Sequence, residues 1–356
     1  MRKVSLTRRE FLVLTGAGVA ACAAPGTGVA PAASRAVTLE SVVASAKAEG
    51  KINAAGPSTL GESGFNKILE GVNKKHGLSL QGTYSSSGNL PDIVAKVATE
   101  ASTGGKTTWD FVILNDSFML SLILADTIAT QPYADLFKFR PEQVSYSGRA
   151  VAFANQLVLP AVNSKLVPAS GMPKTWEDVL DPKWKGKIGV ANTIHHIVRL
   201  SQTWGDERAT DFAKRLAAQN PKLGLVNEVF QALTLGQTVL SFTQTNSQVD
   251  PAIKRGAPVA WATDVRPAIA PTYHAGVLKG ATNPNTATLF AGFMTEALVA
   301  DVWAEAMGRQ SLADTSTLLG QIYAKNPKDA IVWDDKFDPN EFAAREKKYR
   351  QIIGFP

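Results

Sequence analysis

The stretch "YSSSGNLPDIVAKVATEASTGGKTTWDFVILND", Tyr84–Asp116, carries the reading of the fold. It opens on the last residue of "LSLQGTY", which alternates as a strand does. A polar turn follows. Leu90, Ile93, Val94 and Val97 then recur at helical spacing until Gly104 and Gly105 interrupt the run. "WDFVILN" is a short apolar run of the kind that forms a buried strand. Strand, helix and strand within this span predict two parallel strands joined by a crossover helix.

The same alternation extends outward. Upstream, Leu39, Val42, Val43 and Ala46 mark a helix ended by Gly50, and "KINAAG" reads as a strand entering a turn. Phe65, Ile68, Leu69 and Val72 mark a second helix, capped by Ser63 and stopped by Gly77. Downstream, "VAFANQLVLPAVN" is a long extended segment. "GKIGVAN" is a strand leading into the helix "TIHHIVRLSQTWG". "QTVLSFTQT", "APVAWAT" and "YHAGVLKG" read as strands, and the C-terminal third as mainly helical. The predicted class is α/β: two doubly wound lobes joined by extended crossings, with a hinge and an interlobe cleft.

Composition sets the frame. The chain has 356 residues, 45% hydrophobic and 19% charged, which suits a globular protein of two lobes. Its one cysteine, Cys22, cannot close an internal disulfide. Arg2, Lys3, Arg8 and Arg9 precede a mildly apolar run, Phe11 to Ala21, broken by Gly16 and Gly18. That run is far shorter than the roughly 20 residues a membrane span needs, so residues 1–21 read as an export signal. "TRREFL" resembles the twin-arginine export motif, and "VAAC" resembles a lipobox whose cysteine, Cys22, receives a lipid. Cleavage near "APAA", Ala30 to Ala33, is the alternative. Residues 22–37 then form a flexible tether. The first 21 residues carry four basic side chains against Glu10, so the formal charge falls from +6 to +3 once they are removed. A charge that small gives no case for nucleic acid. Location is expected to be periplasmic or at the cell surface, with the lipid as membrane anchor.

"PKTWEDVLDPKWKGKIGV", Pro173–Val190, resembles bacterial extracellular solute-binding proteins of the ferric-iron type, a branch of the type II periplasmic binding proteins of ABC importers. Pro173, Thr175, Trp176, Asp178, Asp181, Pro182, Trp184, Gly186, Lys187 and Ile188 match the family pattern, with Val179 in place of leucine. Each has a structural reading: Thr175 caps a short helix, Asp181–Pro182 turns the chain, the tryptophans pack, and Gly186 launches a strand. "YSSSGNLPDIVAKVATEASTGGKTTWDFVI", "LPAVNSKLVP" and "GVLKGATNPNTATLFAGFM" agree in order, so the resemblance covers roughly residues 38–325. It implies a first lobe of residues 38–153 and 280–310 and a second of 154–279 and 311–356. The chain would cross near 152–160 and return near 273–281. It also implies a monomeric receptor with no cofactor, whose partners are a small-molecule ligand and the importer's membrane subunits.

In open α/β sheets ligands bind beyond the carboxyl ends of the strands, where helix N-termini offer unpaired N–H groups. Four such places stand out: Ser58 and Thr59; Tyr84, Ser85, Ser86 and Ser87; Asn115 and Asp116; and Asn192, Thr193 and His195. Thr243 and Gln244 of "FTQTN", and Tyr273 at the return crossing, complete the expected contacts. Each of these also reads as an ordinary cap or core residue. His195 and His196 point about 100° apart, so one at most faces the cleft. Ferric iron would need Tyr84, Asp116, His195 and Tyr273, but the chain has no adjacent tyrosine pair, and Val162 precedes Asn163 where the family often has tyrosine. Neutral hydroxyls and amides at helix starts suit a small organic anion better; Arg266 or Lys279 could supply countercharge, although both read first as surface residues. An enzyme is the rival class. HExxH, G-x-S-x-G and Walker A patterns are absent from the sequence.

Overall fold

The computed structural model describes residues 37–87, 90–308, 310–332 and 338–355. The expected signal, Cys22 and the tether up to Ala36 lie outside the described residues. Thirteen strands occur among the described residues. They are β1 (Lys51–Pro57), β2 (Gln81–Ser87), β3 (Phe111–Asn115), β4 (Val144–Ser145), β5 (Ala150–Asn155), β6 (Val158–Asn163), β7 (Ile188–Ala191), β8 (Lys222–Gly224), β9 (Leu240–Thr245), β10 (Val259–Trp261), β11 (Ala268–Ile269), β12 (Thr272–Val277) and β13 (Ala330–Ile331).

The strands form two sheets. The first runs β2-β1-β3-β12-β5-β4, and the second runs β13-β11-β6-β9-β7-β8 with β10 beside β6. Strands β1, β2 and β3 are parallel, as expected for strands joined by crossover helices. The other half of the first sheet is antiparallel. It is built from a strand that leaves the lobe, a strand that returns to it, and a hairpin. The hairpin closes in four residues because Tyr146, Ser147 and Gly148 all take the left-handed conformation. The second sheet likewise has parallel β7, β8 and β9 against antiparallel β6, β10 and β11.

The lobes meet at two crossings that lie side by side. The outward crossing is Gln156–Leu157, between β5 and β6. The return is Ala270–Pro271, between β11 and β12. Gln156 N donates to Pro271 O at 2.8 Å, so the two crossings are tied to each other. The return therefore falls before residues 273–281, where the sequence had placed it. Thr272 to Val277 pair wholly within the first sheet, so the segment assigned to the second lobe up to 279 belongs in part to the first.

Each lobe buries its own core. Ile52, Phe65, Phe111, Phe290 and Val299 pack in the first, and Trp176, Phe212, Phe242 and Leu240 in the second. Leu120 crosses over: it sits on the helix Asp116–Leu124, which follows β3, yet it packs into the second core. The family segment is structural, as expected. Thr175 Oγ1 accepts from Asp178 N at 3.2 Å, while the Asp178 carboxylate accepts from Lys174 N and Thr175 N. Trp176 and Trp184 are buried, donating to Pro267 O and Asp178 O.

One local expectation fails. Ser63 caps nothing: the helix Gly61–His76 starts earlier, at a left-handed Gly61 with no side-chain cap. Beyond β12 the described chain is mainly helical, as expected, with the two-residue strand β13 added. Gly56 in β1 leaves no room for a side chain. A Cβ there would lie 2.6 Å from the Tyr84 hydroxyl and 3.1 Å from Ile113 Cβ. Gly56→Ala is expected to cost about 1–3 kcal/mol, read as a lower urea midpoint with an unchanged denaturant slope.

Candidate functional site

The carboxyl ends of β1 and β2 lie together. Gly56 pairs with Ser86 and Pro57 with Ser87. Ser58 N then donates to Ser87 O at 2.9 Å, which holds the two polar turns side by side. Ser58, Thr59, Ser85 and Ser86 are exposed there. Ser85 Oγ accepts from Trp109 Nε1 at 2.9 Å, and Thr59 Oγ1 donates to the Met307 sulfur.

The end of β3 is different, because it is wholly buried. Asn115 caps its helix by accepting from Phe118 N. Asp116 is 0% exposed. Its Oδ1 accepts from Ser117 N at 2.8 Å, and its Oδ2 from Thr272 N at 2.9 Å. Thr272 is the first residue after the return crossing, so Asp116 is fastened to the hinge. Asp116 also forms an ion pair with Arg199, itself 0% exposed, on the helix His195–Trp204 that follows β7. The two charges come from opposite lobes and meet at the seam.

More of the second lobe gathers around this pair. His195 meets the Phe118 ring of the first lobe at 6.3 Å and the His196 ring at 4.4 Å. His196 Nδ1 lies 3.1 Å from Thr243 Oγ1 on β9. The histidines thus divide as their spacing predicts, one toward the seam and one into the lobe. Burial, reinforced by the Arg199 charge, pulls His195 down to about 3. Burial and the neighbouring His195 hold His196 well below its ordinary value. Both rings are neutral at pH 7. Burial raises the nearby Glu346 carboxyl on the C-terminal helix Pro339–Ile353, while Arg350 and Arg199 oppose that rise. Arg350 donates to Asn192 O at 3.3 Å.

The domain model for bacterial extracellular solute-binding proteins matches residues 108–338 of this sequence. The chain belongs to that family. A comparison with curated proteins finds no match. Among solved structures, the fold is similar to a substrate-binding protein of an ABC transporter from Agrobacterium tumefaciens, at 14% identity and TM-score 0.68, covering 86% of this chain and 96% of that one. It is similar to MotA from A. tumefaciens B6 in complex with glucopine, at 18% identity and TM-score 0.64, covering 85% and 99%. Iron-bound HitA from Pseudomonas aeruginosa gives 16% identity, TM-score 0.64 and coverage of 85% and 99%. The architecture is that of the type II periplasmic binding proteins.

For a solute-binding protein the expected residues sort into three groups. Ser58, Thr59, Ser85, Ser86 and Ser87 form a polar rim on the first lobe. Asn115, Asp116, His195, Thr193 and Asn192 lie along the ends of β3 and β7, where Asp116 and Arg199 join the lobes. Tyr84, Tyr273, Thr243 and Gln244 turn inward instead. Tyr84 donates to Pro57 O at 2.9 Å and stacks on Phe65, and Tyr273 packs edge-on against Trp303. Burial pushes both phenols above their ordinary value. Gln244 donates to Ser241 Oγ within its lobe. Of the four residues reserved for iron, Tyr84 lies within electrostatic range of Tyr273, Tyr273 of Asp116, and Asp116 of His195, but both phenols are buried against other rings. Among the described residues, no three His, Cys, Asp or Glu side chains gather at one point.

The expected countercharges are also placed elsewhere. Lys279 pairs with Asp126 at 2.6 Å on the surface, and Arg266 donates to Thr263 O and Val265 O. The buried cation of the seam is Arg199, which the sequence reading missed. Its signal was a charge inside the apolar run Ile197, Val198, Leu200. Asn246 was missed as well. Its Oδ1 accepts from Leu157 N on the outward crossing, and its Nδ2 donates to Met307 O, where the chain leaves the first lobe for the last time.

Neutral buried histidines give a pH signature. In the unfolded chain histidine titrates near 6.5. Below that pH the unfolded state binds protons that the folded state refuses. Stability present above about pH 6.5 is therefore lost as pH falls toward 3, at up to about 1.4 kcal/mol per pH unit for each histidine. His196→Asn should flatten this slope in urea titrations between pH 7 and 4.

Proposed function

We propose that this protein captures a small organic anion between its lobes and presents it to an ABC importer. Arg199 carries the reading. It is a guanidinium fully buried at the meeting of the two lobes, where it pairs with Asp116, and its planar fork suits a solute carboxylate. The polar groups at the strand ends are hydroxyls and amides, which orient a solute without adding charge. MotA, with glucopine bound, is an organic-solute relative in fold.

Ferric iron is the competing reading, favoured by the likeness to iron-bound HitA. A hard trivalent ion needs several anionic oxygens. Tyr84 and Tyr273 are poor sources of phenolate here, because burial favours their neutral forms. The export signal and the lipid on Cys22 complete the proposal: a receptor tethered outside the cytoplasm by its N-terminus. Cys22→Ser is expected to move the protein from the membrane to the soluble fraction of its host.

The decisive experiment is native mass spectrometry of protein purified from its own host, which should reveal a co-purified organic anion. Arg199→Met should weaken binding of that compound about 30- to 3,000-fold, the effect of removing one partner from a buried charge pair. Ser86→Ala and Thr193→Val, on opposite lobes, should each cost about five- to tenfold. A co-purified metal without an organic anion, or unchanged affinity in Arg199→Met, overturns the reading.

A further inference from the structure

Besides the charge pair at the seam, the two lobes meet through a pair of helix ends. In the first lobe the helix Ala297–Met307 stops at Gly308, whose φ of +76° lies in the left-handed region. In the second, the helix Asn246–Lys254 starts directly after β9. The last carbonyls of a helix have no partner inside it. Here Asn246 supplies one: its Nδ2 donates to Met307 O at 2.9 Å and to Gly308 O at 3.2 Å. The negative end of one helix thus meets the positive end of the other. The approach is close, since a Cβ on Gly308 would lie 3.1 Å from Asn246 Nδ2.

The same residue is fastened to its own lobe. Asn246 Oδ1 accepts from Leu157 N at 2.9 Å, and Asn246 N donates to Leu157 O at 3.1 Å. With Val158 paired to Thr245 beside them, Leu157 and Asn246 continue the second sheet as one piece. Met307 is buried in the first core. The bonds of Asn246 that cross between the lobes are therefore the two from Nδ2, gathered at a single point. A link at one point resists separation there without fixing the angle between the bodies it joins. Asn246 is 0% exposed. Pulling it away would strand a buried amide and two carbonyls, a cost that turning about them avoids.

Resting on the reading of the protein as a two-lobed solute receptor, we propose that Asn246 is the pivot on which the lobes turn. It is a positioning residue. It keeps its bonds to Leu157, Met307 and Gly308 as the lobes move, and it fixes the axis of that movement. The polar rim of the first lobe and the strand ends of the second are thereby brought onto a solute along one path. Loss of the pivot leaves each lobe intact and removes their shared axis.

Pulsed electron spin resonance between two nitroxide labels tests this on the full chain in a Cys22→Ser background. The near pair is Ile253→Cys with Glu305→Cys, on the two helices that meet at Asn246. The far pair is Gln81→Cys with Lys222→Cys, on the edge strands β2 and β8. All four positions are exposed. In Arg199→Met, which releases the charge pair, the far distance distribution should be about twofold or more broader than the near one. The near one should match its wild-type width. Asn246→Asp, which replaces the donor to Met307 O and Gly308 O with an acceptor, should broaden the near pair by a similar factor while keeping the wild-type circular dichroism. Gly308→Ala, which crowds Nδ2 from the other side, serves if the Asn246 variant does not fold. A general loosening would instead broaden both pairs together. The inference is overturned if the near pair broadens with Arg199→Met alone, if the far pair stays as narrow as the near one, or if neither Asn246→Asp nor Gly308→Ala changes the near pair. Each of these results leaves the solute reading intact. That reading fails instead if affinity for the co-purified solute ignores Arg199→Met.

Discussion

The Asp116 carboxylate is the point through which the two halves of this molecule communicate. One oxygen holds the backbone of the returning strand at Thr272, and the other meets Arg199 across the seam. A charge so fully removed from water is tolerated only while its partners surround it. The position of the second lobe is thus written into the electrostatics of the first.

The chain path brings the pair together. Both crossings run side by side, tied by Gln156 and Pro271, and Asn246 fastens the second lobe to Leu157 and Met307. Neutral backbone and amide hydrogen bonds of this kind restrict where the lobes move without opposing rotation as strongly as a broad apolar interface would. Around the hinge, the carboxyl ends of β1, β2, β3, β7 and β9 feed helix starts and polar turns. This arrangement follows from joining parallel strands by crossover helices. It concentrates N–H donors and small polar side chains where the lobes face each other, whatever the solute.

Solved relatives in fold carry different cargo, glucopine in one and iron in another. The frame alone therefore does not choose. In the proposed reading the choice falls to Arg199, to the neutral state of His195, and to the inward turn of Tyr84 and Tyr273. Those two tyrosines illustrate why residue type is a weak guide. A phenol at a strand end reads as a ligand, but Tyr84 lies over Phe65 with its hydroxyl spent on Pro57, and burial favours its neutral form.

Sequence by itself determined the α/β class, the existence of two lobes and most helices and strands. Alternating periods of about two and 3.6 residues are local properties that survive without knowledge of the fold. The capping of Asp178 by Thr175 and the packing of Trp176 and Trp184 were legible for the same reason, since their partners lie within a few residues. The return crossing was misplaced because extended chain looks alike in either sheet. Only the tertiary structure decided that Ala270–Pro271 is the turn, that Asp116 is buried rather than solvated, and that Arg199 meets it. Those contacts join residues 83 or more positions apart, and the energy of a buried charge depends on what the distant chain brings to it.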